Sequence, residues 1–266
     1  MESSSENDKM ESRITNKSLK HLYEKAFENR DAFFSSPTDD CSKMIATSCD
    51  WTGLHVLEIG CGEGDTAELL AKKDAIVTAV DYADTAIYRA KNKYPDSTVT
   101  FLCGNWEELI EGSFDRVIMQ EVIEHIDYPV KIMSKIYDIL NTDGELIMTC
   151  PAFLNPRGYI WMTLQILFNV PMSLSDIHFI TPNEMEAWCK DSGFEIIEWR
   201  TFRFSQAWGH GMTVDMKKRL TNALRDAHLD NSRVDELLNW MEQATRYEKP
   251  TIHNGAKNYF RLKKKV

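Results

Sequence analysis

The sequence predicts an α/β fold, a mostly parallel sheet with helices packed on both of its faces. Three observations carry this expectation. Short apolar runs alternate with segments of helical periodicity from residue 55 to residue 151. The first run, H-V-L-E-I-G at 55–60, opens into glycines at alternate positions, Gly60, Gly62 and Gly64. The second closes on an acid, Asp81, 21 positions after Gly60. Strands separated by helix-length segments need crossovers that cover the sheet, a rhythm that belongs to parallel strands and not to hairpins.

Each element has its own signal. Leu19, Leu22, Tyr23 and Phe27 recur at helical spacing between Asn16 and Phe34, and a second short helix is expected across Met44 to Thr47. Residues 1–51 are therefore expected to form a helical cap behind a loose polar tail, and 52–266 the main domain. Strand 55–60 leads into a helix at T-A-E-L-L-A-K-K, and strand 75–81 into a helix over 85–94. Pro95 stops that helix, because the residue before a proline is pushed out of helical geometry. Strands follow at 98–104 and 114–120, then a helix at 131–140, ended by the turn N-T-D-G before a fifth strand, E-L-I-M-T-C-P.

After Pro151 the rhythm breaks. Residues 152–177 read as a long connection rich in aromatic and aliphatic side chains. Thr181, Pro182 and Glu184 mark a capped helix start, and Gly193 its end. Strands are expected at 194–204 and 258–264, with helices at 216–228 and 233–245 between them. The glycines flanking His210 suggest a mobile turn. Segments 152–177 and 212–250 are thus insertions at the edge where a site would lie.

Composition narrows the function classes. Of the 266 residues, 31 are basic and 41 acidic, a net charge of -10 that repels phosphate backbones. A nucleic-acid partner is disfavoured, since the only dense basic group is R-L-K-K-K at 261–265. Six scattered cysteines without a C-x-x-C pair, and a polar start without an export signal, lead us to expect a reducing, cytoplasmic compartment. The apolar run 159–171 is shorter than the roughly 20 residues that cross a bilayer. Transient membrane-surface contact stays open, although Arg157 alone supplies nearby positive charge.

The glycine turn L-E-I-G-C-G-E-G brings backbone donors to a helix start, where a side chain would obstruct a ligand. It is neither the G-x-G-x-x-G dinucleotide fingerprint nor a G-K-[ST] phosphate loop. Glu58 could orient that loop and attract a cationic or amino-bearing ligand, and Asp81 could accept both hydroxyls of a ribose. Further along, E-V-I-E-H at 121–125 would put Glu121, Glu124 and His125 at i, i+3 and i+4 of a helix, all facing one site. They could bind a divalent metal, supply His125 as a base, or favour free amides at a helix start. The letters assign no metal.

V-L-E-I-G-C-G-E-G, V-D-Y at 80–82, C-G-N-W at 103–106, F-D-R-V-I-M-Q-E-V-I-E-H and N-T-D-G-E-L-I-M-T-C-P together resemble class I S-adenosylmethionine-dependent methyltransferases, over about residues 52–204. The resemblance implies a Rossmann-like sheet of seven strands with the last antiparallel, and S-adenosyl-L-methionine as cofactor. It implies that Gly60, Gly62 and Gly64 lie beneath the methionyl part and that Asp81 holds the ribose, with Glu58, Cys61 and Tyr82 beside them as further cofactor-binding residues. Asn105 would meet the adenine in place of the usual acid, Trp106 would cover it, and Gln120 would edge the pocket. Within the family, E-V-I-E-H and H-F-I-T-P-N-E-M-E-A-W resemble the ubiquinone-biosynthesis O-methyltransferases and their small-molecule relatives. That likeness implies a partly hydrophobic small-molecule acceptor methylated at oxygen, with His125, His178 and Glu121 as catalytic candidates. E-x-x-E-H with a later histidine also occurs in metal-dependent RNA terminal 2′-O-methyltransferases, where Glu121, Glu124, His125 and His178 would be the ligands. A non-catalytic adenosyl-ligand-binding protein is the remaining alternative.

Overall fold

The computed structural model describes residues 39–170 and 176–265. The helix expected over 16–34 lies outside the described residues. In chain order the described elements are α1 (Asp39–Ala46), β1 (His55–Ile59), α2 (Asp65–Ala71), β2 (Ile76–Asp81), α3 (Asp84–Lys93), β3 (Thr100–Cys103), α4 (Trp106–Leu109) and β4 (Phe114–Gln120). A 3-10 turn (Ile123–His125), α5 (Pro129–Ile139), β5 (Leu140–Pro151), α6 (Pro156–Phe168), α7 (Pro182–Ser192) and β6 (Phe194–Phe202) follow. The order closes with α8 (Phe204–Ala207), α9 (Gly209–Asp226), α10 (Val234–Thr245) and β7 (Lys257–Lys264).

The seven strands form one sheet in the order β3-β2-β1-β4-β5-β7-β6, with β1 to β5 parallel and β7 antiparallel to both its neighbours. This is the expected Rossmann-like architecture. Side chains alternate between the faces of a strand, and both faces are covered. Leu57, Val117, Met119, Leu146 and Phe260 belong to one core, and Val56, Ile118, Ile147 and Tyr259 to the core on the opposite face. Chain order runs outward in both directions from β1 and β4. Their carboxyl ends therefore border the crevice where open α/β sheets bind ligands.

Two local readings need correction. The N-T-D-G turn does not precede β5 but sits inside it: Leu140 pairs with Phe114, residues 141–144 loop out, and pairing resumes at Glu145 with Arg116. Asn141 Nδ2 holds the loop by donating to Asp115 Oδ1 at 2.7 Å. The W-G-H-G turn is the start of α9, which begins seven residues before the expected helix. A Cβ on Gly211 would lie 2.3 Å from the Ser205 carbonyl oxygen, so that glycine serves close packing and not mobility. His210 is on the surface, with Nδ1 3.2 Å from Glu242 Oε1.

The connection expected over 152–177 contains α6, and α6, α9 and α10 share a third core around Trp161, Met212, Met216, Leu220 and Leu238. Among the described residues no helix is long and apolar enough to cross a membrane.

Candidate active site

The loop between β1 and α2 has the geometry that its glycines imply. Gly60, Gly62 and Gly64 all have left-handed backbones, with φ 73°, 52° and 80°. A Cβ on Gly60 would lie 2.5 Å from Val122 Cγ2, and one on Gly64 2.5 Å from Phe101 Cε1. Asp81 ties the loop to the end of β2: Oδ2 accepts from the Gly62 amide at 2.8 Å and Oδ1 from the Ala83 amide at 2.9 Å.

Glu58 differs from its expected role. It is 2 % exposed, turned under the loop towards the Ala67 amide and the Thr66 hydroxyl. Burial, with Asp81 adding repulsion, pushes its carboxyl from 4.5 up to about 8, so near neutral pH it holds a proton and does not attract a cation by charge. Its Oε2 has no hydrogen-bond partner among the described residues. Cys61 is likewise buried, and burial followed by Glu58 raises its thiol well above the ordinary range. The neutral form of Glu58 therefore stabilises the fold. That contribution is full below pH of about 4.5 and is lost as pH rises through about 8. Glu58→Gln is expected to flatten this slope, by at most about 1.4 kcal/mol per pH unit. Urea unfolding of the ligand-free protein between about pH 5 and 9 checks this; an unchanged slope rejects it.

Gln120, ending β4, points across the crevice floor. Its Oε1 accepts from Thr66 Oγ1 at 2.9 Å and from Ser42 Oγ at 3.3 Å, and the two hydroxyls are 2.7 Å apart. Sequence reasoning missed both hydroxyls; Thr66 could have been found, as it stands two residues after Gly64 in the first turn of α2. Tyr82 is half-buried beside Asp81. Asn105 is exposed and its side chain is committed to capping α4, accepting from the Glu107 amide at 3.2 Å. An asparagine just before a helix is a capping signal that the reading overlooked. Trp106 is half-buried against the core with Leu102 and Ile110, so it is partly a packing residue.

Beyond β4 the expected helical triplet does not form. Glu121 has φ 57°, and only Ile123–His125 turns helically, as a tight 3-10 turn. Glu121 is thereby swung away towards Lys257, whose ammonium donates to its Oε2, with Cys41 Sγ 3.9 Å from Oε1. His178 is also elsewhere: Nε2 lies 2.8 Å from the Ile126 carbonyl oxygen, and the ring meets Trp188 edge-on at 5.3 Å. The four-ligand set Glu121, Glu124, His125 and His178 is therefore not assembled.

A different group is. His125 Nδ1 lies 3.2 Å from Asp176 Oδ1, and Nε2 lies 4.0 Å from Glu124 Oε1. One donor atom from each of Glu124, His125 and Asp176 lies within 4.8 Å of the others, close enough to hold a divalent ion. Glu124 is 1 % exposed, and burial, then repulsion from Glu121 and Asp176, raises its carboxyl well above the ordinary range. Lys257 opposes this. Burial alone would lower its ammonium, but Glu121, aided by Glu124 and Cys41, raises it overall. Glu121→Gln leaves this buried cation uncompensated, so it is expected to destabilise the protein by about 3–5 kcal/mol. Denaturant unfolding reads this, and Glu121→Gln together with Lys257→Met is expected to recover most of the loss.

The arrangement fits S-adenosylmethionine by its own features: a cradle that a Cβ would fill, a carboxylate at the end of β2 tied to that loop, and an unpartnered carboxyl oxygen beneath it. Residues 57–148 match the family described as "Methyltransferase domain". A ubiquinone biosynthesis O-methyltransferase from Coxiella burnetii is 29% identical over 164 residues, 59% of this chain and 70% of that protein. Two solved structures share the fold. The [4+2]-cyclase SpnF does so with TM-score 0.62 and 17% identity over 96% of this chain and 97% of that one. Magnesium protoporphyrin IX methyltransferase from Synechocystis PCC 6803, with bound SAH, does so with TM-score 0.54 and 15% identity over 85% and 81%. The domain match, the sequence relatives and the fold converge on the chemistry of the glycine loop: residues 57–148 match a methyltransferase domain, and the chain around them is similar to S-adenosylmethionine-dependent methyltransferases.

Proposed function

We propose that the methyl group goes to an oxygen of a small, partly hydrophobic acceptor, and that His125 oriented by Asp176 removes the proton. The 3.2 Å approach of His125 Nδ1 to Asp176 Oδ1, on the turn that follows β4, carries this reading. A carboxylate on Nδ1 fixes the imidazole tautomer and assigns the base to Nε2. When bound, S-adenosylmethionine supplies a sulfonium-activated methyl, so what remains for the chain is alignment and proton removal.

The roles divide by residue. Gly60, Gly62 and Gly64 let the loop approach the methyl donor, and Asp81 with Tyr82 frames its ribose. Gln120, held by Thr66 and Ser42, closes the floor. Glu121 acts through Lys257 as a positioning residue, and His178 braces the turn through Ile126. Residues 52–266 would form the catalytic unit, with 152–177 and 212–250 walling the acceptor side.

Methyl-labelled S-adenosylmethionine incubated with matched small alcohols, phenols and amines tests the reading. A labelled ether is the expected product. Label appearing only in amines, or only in a small RNA, rejects it. A second reading, divalent-ion catalysis, is favoured by the spacing of Glu124, His125 and Asp176. It requires that chelation abolish transfer and a divalent ion restore it, whereas the bare dyad requires chelation to leave transfer intact.

A further inference from the structure

Arg157 is not needed to start α6. Asn155 caps that helix by accepting from the Gly158 amide at 2.9 Å, and it is anchored by donating to the Ala152 and Gly255 carbonyls at 2.9 and 3.0 Å. Pro156 fills the first helical position. The Arg157 guanidinium instead lies against α9, where Nε donates to Asp215 Oδ2 at 3.0 Å. Asp215 is shared, because its other oxygen accepts from Arg219 Nε at 3.1 Å. One carboxylate therefore serves two cations.

The remaining donors of Arg157 are open. Its side chain is 13 % exposed. Nη1 and Nη2 have no hydrogen-bond partner among the described residues, yet neither is sealed from solvent. Burial, joined by repulsion from Arg219, outweighs the attraction by Asp215 and leaves the guanidinium below its ordinary range. The surrounding protein thus does not replace the hydration that the cation gave up. A clamp whose only task was to join α6 to α9 would turn those donors into the protein.

The position is informative too. Asp176 lies within electrostatic reach of Arg157, and the same Asp176 holds His125. Arg157 therefore lies on the same side of the crevice as His125. The segment that leads into α6 is apolar, with the buried Phe153 ring meeting the half-buried Phe179 ring edge to face at 5.3 Å. A planar fork of N–H donors is the group that best matches a carboxylate.

We propose that Arg157 is an acceptor-recognition residue that takes a carboxylate, so that the methyl acceptor is a small acid with an apolar body whose hydroxyl reaches His125. The inference rests on the reading of a small-molecule acceptor methylated beside His125.

The test uses the full chain saturated with S-adenosylhomocysteine and two probes that differ chiefly in charge, 4-hydroxybenzoate and 4-hydroxybenzamide, titrated by calorimetry. The acid is expected to bind at least about ten-fold more tightly than the amide. Arg157→Met is expected to erase that margin while leaving the affinity for the amide, and Arg157→Lys to keep a part of it, because a lysine retains the charge without the fork. Equal affinities in the wild type, binding of neither probe, or a margin that survives Arg157→Met overturns the proposal. Should Arg157→Met fail to fold, the wild-type comparison and Arg157→Lys decide. Failure to bind S-adenosylhomocysteine would instead reject the reading of the whole site. Methylation of neutral acceptors without a preference for acids would reject this inference alone.

Discussion

Gly60→Ala is expected to lower S-adenosylmethionine affinity by more than about a hundred-fold and to lower the melting temperature by roughly 5–10 °C. Two costs combine. An alanine at φ 73° sits in the left-handed region, at about 1–2 kcal/mol. The new methyl would also stand 2.5 Å from Val122 Cγ2, so the loop or Val122 must move, adding about 1–3 kcal/mol. Val122 directly precedes the turn that carries Glu124 and His125, and the collision therefore reaches both sides of the crevice. Gly53→Ala is the control, since Gly53 shares the backbone with φ 72° but a Cβ there meets nothing within 4 Å. It is expected to show only the backbone cost and an unchanged affinity. Calorimetric titration and thermal melting of both variants check this; affinity within a few-fold of wild type in Gly60→Ala would sink the account of the loop as a cradle.

His125→Ala is expected to reduce methyl transfer by about 10²–10⁴-fold with cofactor affinity changed by no more than about three-fold. The asymmetry follows from position, because His125 lies beyond β4 among Glu124 and Asp176, while the groups proposed for the donor lie on the loops after β1 and β2. Asp176→Asn keeps the shape but loses the charge that orients the ring, and is expected to cost about 10–10²-fold. Glu121→Gln separates this from a merely structural effect: its loss is expected in the unfolding curve, and activity per folded molecule is expected to fall less than in His125→Ala. Single-turnover transfer with the cofactor prebound gives the readout. Equal losses of binding and transfer in His125→Ala would remove it from the role of base.

The sheet was legible because it follows from period and punctuation. The run 114–120 is β4 to the residue, and Thr181 and Gly193 cap α7 as their chemistry demands, by an accepted hydrogen bond from Glu184 and by φ 83°. The α6 segment was read as a connection because its residues are apolar around the whole circumference, which leaves no polar face to betray a helix. The start of α9 was lost because a glycine pair signals a turn locally, while only the packed structure shows Ser205 pressed against Gly211.

At the site, the left-handed glycine loop was readable in the sequence, whereas the group around His125 was readable only in its letters. Spacing of i, i+3 and i+4 places side chains together only if the backbone is helical, and Glu121 leaves that geometry at φ 57°. Its partner Lys257 lies 136 residues away in sequence, a contact that no local pattern encodes. The carboxylate that does meet His125 is Asp176, far along the chain and outside the E-V-I-E-H motif.

The Trp161 cluster gives the molecule a seam. Three helices, α6, α9 and α10, close around their own side chains and leave the two layers that sandwich the sheet to support themselves. Opening along that seam exposes one small core without melting the strands. Amide protons of these helices are therefore expected to exchange with solvent well before those of β1 and β4. The helical side of the molecule can breathe while the sheet beneath the glycine loop stays shut.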